Sequence, residues 1–165
     1  MNDRCTERAV QIPASILNGL EVAAKAARPL ETGGILIGWR EGDCVIVRDW
    51  IQISATDPRP SRFVIDAAEA TEALGRHLRA RQEPLEGYVG TWHSHPCLTP
   101  PSAVDIKTYR ASASATQAPL AFVVLATNGV ISTAYITWTG DNRKRVNLLT
   151  QEPVSVGRIS YEPGR

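Results

Sequence analysis

Two histidines separated by a single serine, His93-Ser94-His95, are the feature that most constrains how this chain can fold. Side chains of a β-strand alternate between two faces, so residues i and i+2 project the same way. If residues 88–95 are extended, both imidazoles point to one side of a sheet without any bend in the backbone. Asp105, on the next element of the chain, can bring a carboxylate to the same place. Three such ligands with an open position for water are typical of a catalytic zinc site.

The bulk composition is typical of a soluble globular protein. The chain has 165 residues, of which 43% are hydrophobic and 21% charged, which is enough to bury a sizeable core. The formal net charge of +1 provides no overall field for binding a nucleic acid or an anionic membrane. We expect residues 1–165 to form one domain, with its core at about 8–140 and a loosely ordered tail at 154–165.

The amino terminus and the cysteines predict a cytoplasmic location. The first residues are charged and lack the apolar core of a signal peptide, and no stretch approaches the ~18 apolar residues of a membrane helix. Cys5, Cys44 and Cys97 are odd in number, widely spaced and without a C-x-x-C pair. We therefore expect reduced thiols and interpret Cys97 as a small loop residue.

The order of the predicted elements indicates an α/β or α+β fold, a three-layer sandwich with a mixed central sheet flanked by helices. A capping box at Asp66 and Glu69 is expected to open the second helix. Periodicity predicts helices over residues 14–27, 67–81 and 102–113, and strands over residues 10–12, 35–39, 44–53, 63–65, 87–95, 120–126, 130–138 and 147–149.

Glu31 and Ser102 are the candidates for the remaining catalytic work. Amide hydrolysis needs a proton carrier and a donor to the developing oxyanion. Glu31 opens a buried strand, just before small residues that allow close backbone approach, and a charge there is unusual unless it faces a cleft. Simpler explanations exist: Glu31 as a surface residue at a helix end, and Ser102 with Asp105 as a helix cap, which is compatible with metal binding. His77, in the middle of a helix, is expected on its surface and outside the site.

Three segments together resemble the JAMM, or MPN-plus, metalloprotease family: residues 31–38 (ETGGILIG), 90–96 (GTWHSHP) and 102–105 (SAVD). The similarity in element order extends over about residues 10–138. The resemblance implies a mixed sheet with flanking helices, related to the cytidine-deaminase-like layout. It also implies one Zn2+ bound by His93, His95 and Asp105, with Glu31 as acid/base and Ser102 assisting the oxyanion.

The same resemblance implies an isopeptidase or peptidase that cleaves after the C-terminal glycine of a ubiquitin-like or sulfur-carrier protein. The loop at residues 96–101 is one residue shorter than the usual family spacing, which affects how the Ser102 hydroxyl is oriented towards the oxyanion. The long second insertion of eukaryotic members is absent after the hairpin at 120–138, so loops such as 54–62 would have to hold the substrate.

Two other functions stay open at this stage. A non-catalytic scaffold of the same fold would carry no metal. The second alternative is a metallohydrolase that acts on a nucleotide, but the His-x-Glu and Pro-Cys-x-x-Cys motifs of zinc deaminases are missing from the sequence.

Overall fold

The computed structural model describes residues 7–55, 63–141 and 145–157, and within these ranges one mixed sheet of eight strands is flanked by three helices. This confirms the predicted fold class. The strands are β1 (Ala9–Gln11), β2 (Gly33–Glu41), β3 (Cys44–Ile53), β4 (Gly87–His95), β5 (Leu120–Thr127), β6 (Ser132–Asp141), β7 (Val146–Thr150) and β8 (Val154–Val156), and the helices are α1 (Ala14–Ala27), α2 (Ala67–Arg81) and α3 (Ala103–Thr116).

The sheet order is β1-β3-β2-β4-β5-β6-β7, and β8 also pairs with β6. Strands β4 and β5 are parallel and are connected by α3, whereas β2 pairs antiparallel with both β3 and β4. A parallel pair needs a crossover, so the chain leaves the carboxyl end of β4 and enters α3 at the same edge of the sheet. That edge is where the predicted ligands lie.

The main core lies between α1 and one face of the sheet. Leu17, Leu20 and Ala24 recur on one side of α1 and are buried. They pack with inward-facing residues of the central strands, including Leu36 and the fully buried Trp92. Burying a side chain of leucine size stabilises the fold by about 1.5–3 kcal/mol, so this face fixes the sheet firmly.

A β-bulge in β4 aligns the site face of that strand. The register of β2 against β4 shifts at Leu36, which pairs with Gly90, while the next residue of β2 pairs with Tyr88. Gly90 has a φ of +154°, and a Cβ there would collide with the carbonyl oxygen of Ala121. The extra residue changes the alternation of β4, so Tyr88 lies on the same side of the sheet as the histidines.

Helices α2 and α3 lie on this second face, away from α1. Tyr109 of α3 stacks on Phe122 of β5 with ring centroids 4.1 Å apart. Ala73 is the one buried residue of α2. The two helices form opposite walls of an open cleft above the central strands.

Several local predictions were wrong. Residues 63–65 form no full strand, and Ile65 makes an isolated bridge to Ala55. Asp66 caps α2 as predicted, but Glu69 does not complete a capping box, because its carboxylate accepts a hydrogen bond from the Ser54 N–H at 3.2 Å. The substrate loop expected at 54–62 lies mostly outside the described residues.

The tail and the cysteines also differ from expectation. Val154–Val156 forms β8 instead of a loose tail, because it pairs with the edge of β6, and residues 158–165 lie outside the described ranges. Cys44 is disulfide-bonded, which corrects the expectation of three reduced thiols, while Cys97 is free and exposed. Among the described helices, none combines the length and apolar character needed to span a membrane.

Candidate metal centre

His93 and His95 occupy the carboxyl end of β4, with their imidazoles on the face between α2 and α3. Their positions follow from strand alternation, as the i, i+2 spacing predicted. Trp92, which directly precedes His93, points to the opposite face and is fully buried in the main core. The side chain of His93 is 14% exposed and that of His95 is 10% exposed, so both reach the cleft only at their tips.

Both imidazoles and the Asp105 carboxylate lie within contact distance of one another. The two imidazole Nε2 atoms are 3.2 Å apart. Asp105 Oδ1 lies 3.2 Å from His93 Nε2, and Asp105 Oδ2 lies 3.4 Å from His95 Nε2. Ligands bound tetrahedrally to zinc at about 2.0–2.1 Å stand roughly 3.3 Å from one another. The three contacts are close to this spacing, and they involve both oxygens of Asp105. One ligand atom from each residue lies within 4.8 Å of the other two, so this group of described residues could hold one metal ion.

The start of α3 holds Asp105 in place. Ser102 is the N-cap: its hydroxyl oxygen accepts a hydrogen bond from the Asp105 N–H at 3.1 Å, and its own N–H donates to Asp105 Oδ2 at 2.7 Å. This capping box fixes the carboxylate one turn into the helix. Burial by itself raises the pKa of Asp105, but hydrogen bonds and charge from the two imidazoles outweigh burial and hold that pKa well below its ordinary value.

The ring of His95 is oriented by Thr99 in the loop before α3. The Nδ1 atom lies 3.0 Å from the Thr99 carbonyl oxygen and 3.1 Å from its hydroxyl. A carbonyl can only accept, so Nδ1 carries the proton in this contact and Nε2 keeps its lone pair for the cluster. Burial lowers the pKa of His95, but hydrogen bonds to Asp105 and to the Thr99 carbonyl raise it above its ordinary value. An environment that favours a positive charge at this ring also favours a bound cation.

Glu31 lies beside the same cluster at the entry to β2. Burial raises the pKa of its carboxyl, and the charges of His93 and His95 and a hydrogen bond from the Phe63 N–H oppose that rise. A carboxylate whose pKa is raised towards neutrality can both take and return a proton. Glu31 is therefore placed in the cleft and is not the plain surface residue of the simpler interpretation.

Ser102 fulfils the capping explanation, and its oxyanion role stays a prediction. Its side chain is exposed and lines the cleft. The hydroxyl oxygen accepts in the cap, and a hydroxyl that accepts still has a proton to donate.

The cleft that opens from the cluster has a volume of about 1590 Å³. Its floor includes Ile35 and Tyr88, the α2 wall contributes Ala70 and Leu74, and the other wall is α3. Among the described lining residues, the only carboxylates are those of Glu31 and Asp105, and no Lys or Arg is present.

Sequence reasoning missed three contacts of this centre and misplaced one residue. Thr99, Ser94 and Phe63 make hydrogen bonds that carry no motif of their own. His77 faces the sheet, with its side chain 14% exposed and its Nε2 atom 3.5 Å from Glu86 and 3.8 Å from Asp49, so it is no surface residue. It is not part of the His93 cluster, as predicted.

Three comparisons with known proteins support the resemblance that the sequence segments indicated. A family model described as prokaryotic homologs of the JAB domain matches residues 13–141. A curated protein from Sinorhizobium fredii (strain NBRC 101917 / NGR234), named "Probable metalloprotease y4qB", is 24% identical over 157 residues, which cover 92% of this chain and 95% of that protein. The solution structure of protein DSY2949 from Desulfitobacterium hafniense matches with a TM-score of 0.62 and 21% identity, over 86% of this chain and 88% of that one. The similarity to DSY2949 is a similarity of fold alone.

Proposed function

Because the chain belongs to the family of prokaryotic homologs of the JAB domain, we propose that it is a zinc metallopeptidase acting on a protein with a glycine-terminated tail. Family membership confirms the resemblance drawn from the three sequence segments, and the name of the Sinorhizobium relative supports metallopeptidase activity. The observation that carries the proposal is the convergence of His93, His95 and the Asp105 carboxylate, with contacts of 3.2, 3.2 and 3.4 Å between them.

His93, His95 and Asp105 would hold the zinc ion. A zinc ion bound there supplies a water of lowered pKa and polarises the substrate carbonyl. Two nitrogens and one carboxylate oxygen are the donor types that zinc prefers, and three protein ligands leave one position open. The capping box and the Thr99 contact keep the ligands in place before any ion binds, so little reorganisation is required.

Glu31 takes the proton from the attacking water and delivers it to the departing amine. One carboxylate can do both in turn if its pKa is not far below the working pH, and burial shifts Glu31 in that direction. Ser102, which lines the same cleft, donates the proton of its hydroxyl to the oxyanion through a hydrogen bond. Such a donor typically contributes on the order of 10²-fold or more in rate.

The substrate proposed is a ubiquitin-like or sulfur-carrier protein whose C-terminal glycine precedes the scissile bond. The cleft supports an extended tail, since it leads directly from the cluster and is bounded by small or apolar side chains. The absence of Lys and Arg, and of acids other than the two at the cluster, among its described lining residues favours a tail without charged side chains near the glycine.

The location of the protein is a separate question. The cytoplasmic prediction rested on the charged amino terminus and on reduced thiols, and the disulfide at Cys44 removes the second support, because disulfides are rare in cytosolic proteins. Activity should therefore be assayed both with and without a reducing agent.

The decisive experiment compares the zinc-loaded protein with Glu31→Gln. Candidate ubiquitin-like and sulfur-carrier proteins, each extended by a short peptide after the C-terminal glycine, are incubated with each protein and the products identified by mass spectrometry. Glu31→Gln should bind zinc normally and lose nearly all cleavage, because the amide cannot carry the proton. The matched control is Glu41→Gln, an exposed carboxylate at the far end of the same strand, which should cleave normally.

Two results would count against the proposal. Unchanged turnover by Glu31→Gln would remove Glu31 from the mechanism. A native protein that takes up no zinc and cleaves no extended substrate would instead indicate the scaffold function.

A further inference from the structure

Ser94, the residue between the two histidines, connects the ligand strand to the residue that follows Glu31. Its side chain alternates with the imidazoles and is only 1% exposed, so it takes no part in the cleft. Its Oγ atom accepts a hydrogen bond from the Thr32 N–H at 2.9 Å, and its own N–H donates to the Thr32 carbonyl at 2.7 Å.

This pair departs from a regular antiparallel ladder. Gly33 and His93 form the terminal residue pair of the β2–β4 ladder, and Thr32 and Ser94 stand next to them. In a regular hydrogen-bonded pair, two opposite residues exchange two backbone hydrogen bonds. Here one of the two runs from the Thr32 N–H to the hydroxyl of Ser94, so the ladder ends on a side chain instead of on the carbonyl.

The position of Thr32 is then transmitted to Glu31. Adjacent Cα atoms are held about 3.8 Å apart by a rigid peptide unit, so a displacement at Thr32 moves the residue before it. On its other side, Thr32 is held by Gln52, whose Nε2 donates to the Thr32 hydroxyl at 2.8 Å. Thr32 is thus held through its backbone by Ser94 and through its side chain by Gln52, and the Glu31 carboxylate extends from that point towards the cluster.

We propose that Ser94 is a positioning residue that sets the distance of the Glu31 carboxylate from the His93–His95–Asp105 cluster. This inference rests on the proposed function, because it assigns Glu31 the proton-carrying role. Without the hydroxyl, the Thr32 N–H must turn to the Ser94 carbonyl or lose its partner. Either change shifts the start of β2, while His93 and His95, held by the rest of β4, keep their places.

The test combines three variants of Ser94 with Glu31→Gln. Ser94→Ala removes the acceptor and should lower kcat by about 10²-fold with zinc content unchanged, since a shift of ~1 Å at a catalytic group costs rate on that scale. Ser94→Thr keeps a hydroxyl on a β-branched side chain suited to a strand, and should restore most of the rate. Ser94→Cys fills the same space with a weak acceptor and should fall between them; it provides the measurement if the alanine variant does not fold.

A double-mutant cycle separates positioning from a general structural role. In the Glu31→Gln background, Ser94→Ala should cause no further loss, because the group through which it acts is already missing. An additive loss, a loss of zinc in Ser94→Ala, or full activity in both Ser94→Ala and Ser94→Cys would overturn the assignment.

Crystal structures of the zinc-loaded native protein and of Ser94→Ala provide a readout that needs no substrate. The Glu31 carboxylate should be displaced relative to the imidazoles, and an unmoved carboxylate would refute the inference even if the native enzyme is active. If the native protein cleaves nothing, the proposed function fails, while the two structures still decide whether Ser94 positions Glu31.

Discussion

The two helical walls of the cleft are attached to the sheet by different forces. Helix α3 is attached by packing and by its capping box: Tyr109 and Ala113 are buried, and Tyr109 stacks on Phe122. Helix α2 buries only Ala73 and is tied to the sheet mainly by polar contacts near its ends.

The contacts of α2 form a charged cluster at its carboxyl end. Arg81 lies 3.6 Å from Asp49 of β3 and 3.4 Å from Glu86, just before β4, and His77 lies near both acids. The Arg81–Asp49 pair is partly exposed on both sides, whereas the Glu86 side chain is only 4% exposed. Partly exposed ion pairs contribute little to stability and weaken with salt, while buried aromatic packing is largely insensitive to salt. Asp105 is on the firmly packed wall, and the described part of α2 contributes no ligand.

The different attachment of α2 and α3 indicates that the two helices have different roles. Ligand geometry has to be kept within a fraction of an ångström, and α3 meets that need because its first turn and its buried face are both fixed. A substrate wall can tolerate movement, so α2 can be attached more loosely. Substitutions in the two helices should therefore have different effects. Those in α3 should change zinc affinity and the free energy of unfolding, and those in α2 should change mainly the affinity for the substrate.

The largest effect is expected at the first turn of α3. Asp105→Asn retains an oxygen to accept the Ser102 N–H but loses the anionic ligand, so zinc affinity should fall by more than the 10- to 100-fold typical of outer contacts. Cleavage should be abolished. Zinc content by atomic absorption checks this, and Ser102→Ala is the control, since it breaks the same capping box and leaves all three ligands. Equal zinc loss in both variants would show that the cap matters more than the carboxylate.

Local patterns predicted well how the candidate ligand residues are arranged. Alternation in β4 depends on neighbouring residues only, so the shared orientation of His93 and His95 could be inferred from their spacing. The N-caps at Asp66 and Ser102 are equally local, because each involves a residue three positions away.

What the sequence could not predict depends on contacts between distant segments. The Ser94 hydroxyl reaches Thr32 across 62 positions of the chain, and serine in a strand carries no sign of that use. His77 faces the sheet because acids from β3 and from the segment before β4 meet it there, which helical periodicity alone does not reveal. β8 has three residues, and only the free edge of β6 makes it a strand.

A second prediction concerns the packing of α3. Tyr109→Ala should lower the free energy of unfolding by about 3–5 kcal/mol, the usual cost of removing a buried aromatic side chain. Tyr109→Phe is the matched control: it keeps the stacked ring and removes a buried hydroxyl that has no hydrogen-bond partner among the described residues, so stability should be unchanged or slightly higher. Denaturant titration of both variants tests this. A large loss in Tyr109→Phe would mean that α3, too, depends on polar contacts.

The smallest effect is expected at the charged cluster of α2. Arg81 is about half exposed, so Arg81→Gln should weaken the attachment of α2 to the sheet by about 1 kcal/mol. If all of that were lost from substrate binding, KM would rise roughly fivefold, because one wall of the cleft becomes less firmly held. The kcat should stay unchanged, since no ligand moves. Arg76→Gln, which breaks an exposed pair with Glu72 on the same helix, should alter neither constant. At about 1 M salt the screening length falls to ~3 Å, and the KM of the native protein should shift towards that of Arg81→Gln as the partly exposed Arg81–Asp49 pair is screened. A fall in kcat for Arg81→Gln would contradict the division between the walls, because it would mean that α2 helps to place the reacting groups.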